Sequence, residues 1–250
     1  MDDNGGLESE PELVREAEEL TASVAVAPSP IPRGAQSTSA YIELVISLVA
    51  VIGALALGLG ITSYLRDHPY VFAYLVAYAG FRFADLLVRP PYDARVDRDY
   101  RWHRLGELPR LLLFAAAPFE RTYMYGAEPP VWISALGLFV ELVGLWLALG
   151  ARIQLGRFGT PHLSVQEGQL VVRSGFYRYI RHPIYAGVLL ALLGWPLVYG
   201  APIVAIGMIV VGILAVERRI RIEEAMLEEK FGDMYSAYVR KTDRLVPGVW

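Results

Sequence analysis

The chain contains the stretch GFYRYIRHPIYAG at residues 175–187 and, further on, RIRIEEAML at residues 219–227. Two apolar runs separated by a short uncharged turn lie between them, and this pattern predicts a helical hairpin of about membrane length. Charged and aromatic side chains therefore flank both open ends of the hairpin. This arrangement predicts a site at the surface of a membrane.

The composition of the whole chain also indicates a membrane protein. Hydrophobic residues make up 54% of the 250 residues, which is high for a soluble domain. The sequence has no cysteine, which excludes disulfides, thiol catalysis and thiolate metal sites. Its four histidines, His68, His103, His162 and His182, lack the spacing of metal ligands. We therefore expect no metal. We also expect no nucleic-acid partner.

Residues 1–40 differ from the rest of the chain in charge. They carry eight acidic residues against two arginines, whereas the remainder is net basic. No basic segment precedes an apolar one here, so the pattern is not that of a signal peptide. Its proline-rich second half disfavours regular structure. We predict a mostly disordered, acidic cytoplasmic tail.

Apolar runs at residues 41–65, 70–88, 131–150, 183–199 and 201–216 approach the length that a helix needs to cross hydrocarbon, although the last two are short. In a bilayer they must be helical, because only a helix satisfies its own backbone polar groups. A weaker segment, residues 108–119, either crosses or lies in the interface. The predicted fold is an all-α polytopic membrane bundle of five or six spans.

The arginines predict the orientation of these spans. They cluster after residue 88, after residue 150 and after residue 216, whereas the turn at residues 199–201 carries no charge. The positive-inside rule places all three clusters in the cytoplasm. Residues 108–119 must then cross or re-enter the membrane. We expect six crossings with both termini in the cytoplasm; five spans with an in-plane helix at 108–119 is the alternative.

Charged residues inside the predicted spans need partners, because an ionised group in hydrocarbon is costly. Arg82 and Asp85 are three residues apart, so we expect them to pair on one helical face. Glu141 has no partner nearby in its own segment. We expect it to face a polar cavity or to pair with another helix.

The two motifs and the hairpin form a linked set. It consists of Gly-x-Tyr-x-x-x-Arg-His-Pro-x-Tyr-x-Gly, then Arg219, Glu223-Glu224, Leu227, Phe231-Gly232, Tyr235, Tyr238 and Pro247. This set resembles the isoprenylcysteine carboxyl methyltransferase and phospholipid methyltransferase superfamily of integral membrane enzymes. The resemblance covers residues 150–250. Together with the charge and apolar patterns, it divides the chain into the tail at 1–40, N-terminal transmembrane helices at 41–150 and a catalytic region at 151–250.

The resemblance implies S-adenosylmethionine as methyl donor, bound under a cytoplasmic C-terminal helix that closes over the site. The cofactor-binding residues that it implies are His162, Gln169, Leu170, Val171, Val172, Tyr177, His182, Pro183, Ile184, Tyr185, Glu223 and Glu224. Arg219 resembles the residue that holds the polar head of the acceptor, and Arg181 joins it as a catalytic candidate. The implied acceptor is a lipid-like or prenylated amphiphile in the bilayer.

These residue types suit that chemistry. A carboxylate accepts hydrogen bonds from the ribose diol and the ammonium group of S-adenosylmethionine, and an aromatic face favours its sulfonium. Methyl transfer is an in-line displacement in which alignment and desolvation supply most of the catalysis. An amine nucleophile would first have to lose a proton. A carboxylate or a thiolate would not.

Two other classes fit parts of the sequence. A membrane reductase of the steroid-reductase type has a similar multi-span build and a tyrosine-rich C-terminus, but takes NADPH. A non-enzymatic membrane protein would use Arg82 and Glu141 for transport. The Arg-His-Pro-x-Tyr run and the pair Glu223-Glu224 favour the methyltransferase over both. Arg221-Ile222 stands where eukaryotic carboxyl methyltransferases carry a longer acidic run, so the substrate is not inferred from that family.

Overall fold

The computed structural model describes residues 68–88, 90 and 97–249, with the side chains of 100–107 left out of that description. The predicted tail at 1–40 and the predicted span at 41–65 lie outside these ranges. The described part is helical, as expected. Its α-helices are α1 (Pro69–Val88), α2 (Tyr100–Glu120), α3 (Val131–Leu155), α4 (Pro183–Tyr199), α5 (Pro202–Phe231) and α6 (Asp233–Val239).

The helix boundaries follow local sequence signals. Pro183 and Pro202 occupy the first positions of α4 and α5, where a missing N–H costs nothing. Gly200 ends α4 with a positive φ of 59°, a conformation that favours glycine. The predicted span at 201–216 is only the first half of α5. The helix continues to Phe231, so the 219–227 motif lies on the same rigid element as the apolar span.

Within the described residues, α1 and α3 are long and apolar enough to cross a membrane, and α4 is a shorter apolar helix. The all-α prediction is confirmed for the described residues. Of the predicted spans, two are identified there by length and composition, and the total of five or six stays a prediction. Residues 108–119 form the second half of α2, a continuous helix that contains Pro109 and Pro118.

One end of the bundle brings together the end of α2, the start of α3 and the α4–α5 turn. The Glu120 carboxylate accepts hydrogen bonds from the backbone N–H groups of Ile203 (3.0 Å) and Val204 (2.7 Å), and so caps the first turn of α5. The Ser134 hydroxyl donates to the carbonyl of Val198 at 2.9 Å. The α4–α5 turn, which the arginine pattern places away from the cytoplasm, lies at this end.

The opposite end joins the remaining helix ends through ion pairs. Arg218 on α5 lies 3.2 Å from Asp99, just before α2. Arg152 on α3 lies 2.6 Å from Asp85 on α1. Asp85 therefore pairs across helices, and the expected pairing with Arg82 is wrong. Because α2 begins at this end and finishes at the other, it runs the length of the described bundle. That residues 108–119 cross a membrane stays a prediction.

The packing of α3 against α4 sets the position of the site. A Cβ atom on Gly144 would lie 2.4 Å from the backbone nitrogen of Ala191, and one on Gly187 would lie 2.5 Å from the carbonyl oxygen of Gly144. Only glycine allows such close contact between helix backbones.

Glu141 lies fully buried on α3, and neither of its carboxylate oxygens has a hydrogen-bond partner among the described residues.

Candidate active site

The Arg-His-Pro run is held by the C-terminal residues 240–249, which we call the strap. The backbone N–H groups of Arg181 and His182 donate to the carbonyls of Asp243 (2.8 Å) and Arg244 (3.0 Å). Asp243 in turn donates to the carbonyl of Tyr179 at 3.3 Å, and a parallel β-bridge joins it to Ile180. The strap therefore fixes the backbone that enters α4.

Three side chains from α4 and α5 meet at the start of α4. The Tyr185 hydroxyl donates to a carboxylate oxygen of Glu223 at 2.7 Å and accepts a hydrogen bond from Nε of Arg219 at 3.1 Å. Arg219 precedes Glu223 by one helical turn, which places both on the face of α5 turned to Tyr185. The sequence predicted all three as site residues, and the structure brings them together.

Two groups of this cluster can form further hydrogen bonds. Arg219 donates through Nη2 to the carbonyl of Pro161, but its Nη1 is buried without a partner in the described part of the chain. The Glu223 side chain is 33% exposed, and its second oxygen lies 4.0 Å from Nδ1 of His182. A buried guanidinium nitrogen and an accessible carboxylate oxygen can therefore both receive a ligand.

Glu224 is adjacent to Glu223 in sequence but has different surroundings. It accepts hydrogen bonds from Arg181 (3.0 Å), from Nη2 and Nε of Arg244 (2.8 and 3.1 Å), and lies 3.4 Å from Nε2 of His182. Burial alone would raise the pKa of Glu224. The hydrogen bonds from His182, Arg181 and Arg244 outweigh burial and lower the pKa to about 2. Glu224 is thus ionised and joins the strap to the Arg-His-Pro run.

The hydrogen-bond donors of the Arg181 guanidinium are also occupied. Besides Glu224, it donates to the carbonyl of Val239 at 3.2 Å and to the carbonyl of Thr242. Its side chain is 8% exposed. This geometry suits a residue that positions the site more than one that contacts a substrate.

Four further predicted residues are buried or half-buried. His182 is buried, and its ring stacks on Tyr185 with centroids 5.6 Å apart. Pro183 is buried at the first position of α4, and Ile184 is half-buried. His162 is buried next to Pro161, in a segment that the Leu163 N–H anchors to the Asp97 carboxylate at 3.2 Å.

Two predicted stretches are not joined to the cluster. Gln169 closes a local turn by accepting a hydrogen bond from the N–H of Gln166 at 2.9 Å, Leu170 is exposed, and Val171 and Val172 are half-buried. Among the described residues, no hydrogen bond links residues 169–172 to Glu223, Tyr185 or Arg219. The Tyr177 hydroxyl is directed away, donating to the carbonyl of Ala151 on α3 at 3.3 Å.

The sequence analysis missed two residues near the site. No sequence motif indicates that Arg244 is a site residue, because its contact with Glu224 depends on how the strap folds over that residue. Tyr235 belongs to the linked set of residues but was not named as a site residue. It is buried, and burial together with the charges of Glu224 and Glu223 raises its pKa.

Comparisons with known proteins place the chain in a family. The family model for phospholipid methyltransferases matches residues 132–234. Protein-S-isoprenylcysteine O-methyltransferase B of Arabidopsis thaliana is 33% identical over 132 residues, which cover 52% of this chain and 67% of that protein. A Delta(14)-sterol reductase of Methylotuvimicrobium alcaliphilum is 30% identical, but the match covers only 31% of that protein and 48% of this chain.

The fold has a solved counterpart. The structure of a eukaryotic intramembrane Ras methyltransferase, an isoprenylcysteine carboxyl methyltransferase, superposes with a TM-score of 0.60 at 22% identity, covering 84% of this chain and 77% of that one. The family match includes α3, the α4–α5 hairpin and the start of α6. The chain belongs to the isoprenylcysteine carboxyl methyltransferase and phospholipid methyltransferase family of membrane methyltransferases.

Proposed function

We propose that this protein transfers a methyl group from S-adenosylmethionine to the polar head of an amphiphile embedded in the membrane. The observation that carries the proposal is the Tyr185–Glu223–Arg219 cluster. It lies where the hairpin's apolar run gives way to charged residues. Among the described residues, one buried guanidinium nitrogen of the cluster has no partner, and one carboxylate is partly exposed.

The donor side of the site is formed around Glu223. Its accessible carboxylate accepts hydrogen bonds from the ammonium group or the ribose diol. The stacked rings of His182 and Tyr185 offer an aromatic face to a cation, and Pro183 and Ile184 add an apolar wall. S-adenosylmethionine, when bound, supplies a methyl group activated by a sulfonium. The family resemblance also assigns His162, Tyr177 and residues 169–172 to the donor site.

The acceptor side is formed by Arg219. Its Nε is held by the Tyr185 hydroxyl and its Nη2 by the Pro161 carbonyl, so the guanidinium plane is fixed and Nη1 remains for the acceptor. A planar, permanently charged donor suits an anionic oxygen. Tyr185 contacts both Arg219 and Glu223, and thereby fixes the donor and acceptor groups relative to each other.

Arg181 and Glu224 act through other residues. Their hydrogen bonds hold the strap against the Arg-His-Pro run and keep the His182 ring in place beside Glu223. We assign them as positioning residues.

The bilayer supplies the acceptor. The outer surface of α5 exposes a row of apolar side chains, Ile203, Ile206, Ile209, Val210, Ile213 and Leu214, before the charged residues begin. The tail of a lipid-like or prenylated acceptor stays in hydrocarbon while its head reaches Arg219. The arginine pattern places this end of the bundle, and both termini, in the cytoplasm, from which a water-soluble donor arrives.

The test is donor-dependent labelling. Purified protein in vesicles receives methyl-labelled S-adenosylmethionine with a total membrane lipid extract, with an S-farnesylcysteine analogue or with phosphatidylethanolamine, and the labelled species is identified by mass spectrometry. Glu217→Gln, a change on the outer face of α5, is the matched active control. Absence of labelled lipid and of labelled prenylcysteine in all three preparations would refute the proposal.

A second candidate is a membrane reductase, because of the partial match to the Delta(14)-sterol reductase. The two functions separate by ligand stabilisation in detergent. If the protein is a methyltransferase, S-adenosylhomocysteine should raise its Tm and NADPH should leave the Tm unchanged. If it is a reductase, NADPH should raise the Tm and S-adenosylhomocysteine should leave it unchanged.

A further inference from the structure

Tyr235 on α6 has a buried hydroxyl group that the fold does not use. The residue is 2% exposed, and its hydroxyl has no hydrogen-bond partner in the described part of the chain. A buried hydroxyl without a partner is unfavourable, and a native protein rarely keeps one without a reason.

The surrounding tyrosines are satisfied. Tyr238, one turn later on α6, donates to the carbonyl of Tyr177 at 2.7 Å, and Tyr177 donates to the carbonyl of Ala151. Arg173 also holds α6 by donating to the carbonyl of Met234 at 2.7 Å. The helix is therefore anchored through other groups, and the Tyr235 hydroxyl is not needed to place it.

Tyr235 lies within electrostatic range of the glutamate pair. Helix α6 packs against α5, and the Tyr235 ring lies 6.1 Å from that of Tyr238, centroid to centroid. The charges of Glu224 and Glu223 act on its phenol, which together with burial keeps the hydroxyl protonated. Glu224 is occupied by Arg181, His182 and Arg244, while Glu223 is partly accessible. The unused donor therefore lies within electrostatic range of the partly accessible Glu223.

We propose that Tyr235 is a further ligand of the methyl donor, its hydroxyl donating a hydrogen bond to an oxygen or ring nitrogen of the bound S-adenosyl group. This inference rests on the proposed function. It extends the donor site from α4 and α5 to α6, so that binding of the donor holds α6 against the glutamate pair.

The experiment compares Tyr235→Phe with Tyr238→Phe by calorimetric titration of S-adenosylhomocysteine and by thermal unfolding in detergent. Tyr235→Phe removes a hydroxyl that has no partner among the described residues, so the Tm without ligand is unchanged or higher. Its affinity for S-adenosylhomocysteine falls by about three- to tenfold, the effect of one hydrogen bond. Tyr238→Phe loses the bond to Tyr177, so its Tm without ligand falls while its affinity for S-adenosylhomocysteine stays within about twofold.

A second ligand locates the contact. If Tyr235→Phe weakens 5′-methylthioadenosine as much as S-adenosylhomocysteine, the hydroxyl contacts the nucleoside. If only S-adenosylhomocysteine is weakened, it contacts the amino-acid end. Either result supports the proposal.

Other outcomes overturn it. Unchanged affinity of Tyr235→Phe for S-adenosylhomocysteine, where the wild type binds, refutes the role of Tyr235 and leaves the proposed function intact. A lower methylation rate at saturating donor with unchanged donor affinity assigns the hydroxyl to the acceptor instead. No binding by the wild type refutes the proposed function itself.

Discussion

Replacing Glu224 by glutamine tests the division of roles within the glutamate pair. The folded protein lowers the pKa of Glu224 from 4.5 to about 2. Since each pKa unit corresponds to about 1.4 kcal/mol, this shift corresponds to roughly 3 kcal/mol in favour of the folded state with an ionised Glu224. The side chain is only 14% exposed, so solvent screens this contribution weakly.

Glu224→Gln removes the charge and leaves the buried Arg181 without its carboxylate. We expect a loss of about 2 to 3 kcal/mol in unfolding free energy, because a buried cation loses its partner. Glu217→Gln is the matched control on the same helix. It breaks the Glu217–Arg221 pair, whose arginine side chain is 68% exposed, and should lower the unfolding free energy far less than Glu224→Gln does, because solvent screens an exposed ion pair.

The assay is denaturant unfolding in detergent micelles as a function of pH. A carboxylate with a depressed pKa stabilises the fold above its unfolded pKa, and the contribution is lost as the pH falls from about 4.5 towards 2. Over this pH range the wild-type protein should lose the part of its unfolding free energy that ionised Glu224 contributes. The Glu224→Gln variant should show no such loss. Faster hydrogen exchange at the Arg181 and His182 amides would accompany release of the strap. Equal stability of the Glu224→Gln and Glu217→Gln variants would refute the reasoning.

Three further predictions concern the site and its orientation. Glu223→Gln should weaken binding of S-adenosylhomocysteine at least tenfold, measured by calorimetry, with little change in Tm; unchanged affinity would remove Glu223 from the donor site. Arg219→Lys should lower the single-turnover methylation rate at saturating donor, and Arg219→Ala should lower it further, because lysine keeps the charge but not the planar fork; an effect confined to donor affinity would assign Arg219 to the donor. Cysteines introduced singly at Tyr123 and Arg98, both exposed and at opposite ends of the bundle, should react with an impermeant thiol reagent from opposite sides of the membrane; reaction from the same side would overturn the topology.

The sequence predicted the features that depend on neighbouring residues. The helices at 70–88 and 183–199 were predicted nearly to the residue, because apolar length, Pro183 and Gly200 act locally. The approach of Arg219 to Glu223 followed from their spacing of one helical turn. The linked motifs predicted the family, because the set as a whole is specific even though each part is common.

Only the tertiary structure decided which side chains are partners. Asp85 pairs with Arg152 rather than with Arg82, across two helices. Glu223 and Glu224 are adjacent in sequence, but successive residues of a helix point about 100° apart. One therefore faces Tyr185 and Arg219, while the other faces Arg181 and Arg244. Partners such as Arg244 lie on elements that follow the motif by many residues, and no local pattern in the chain specifies how those elements pack over it.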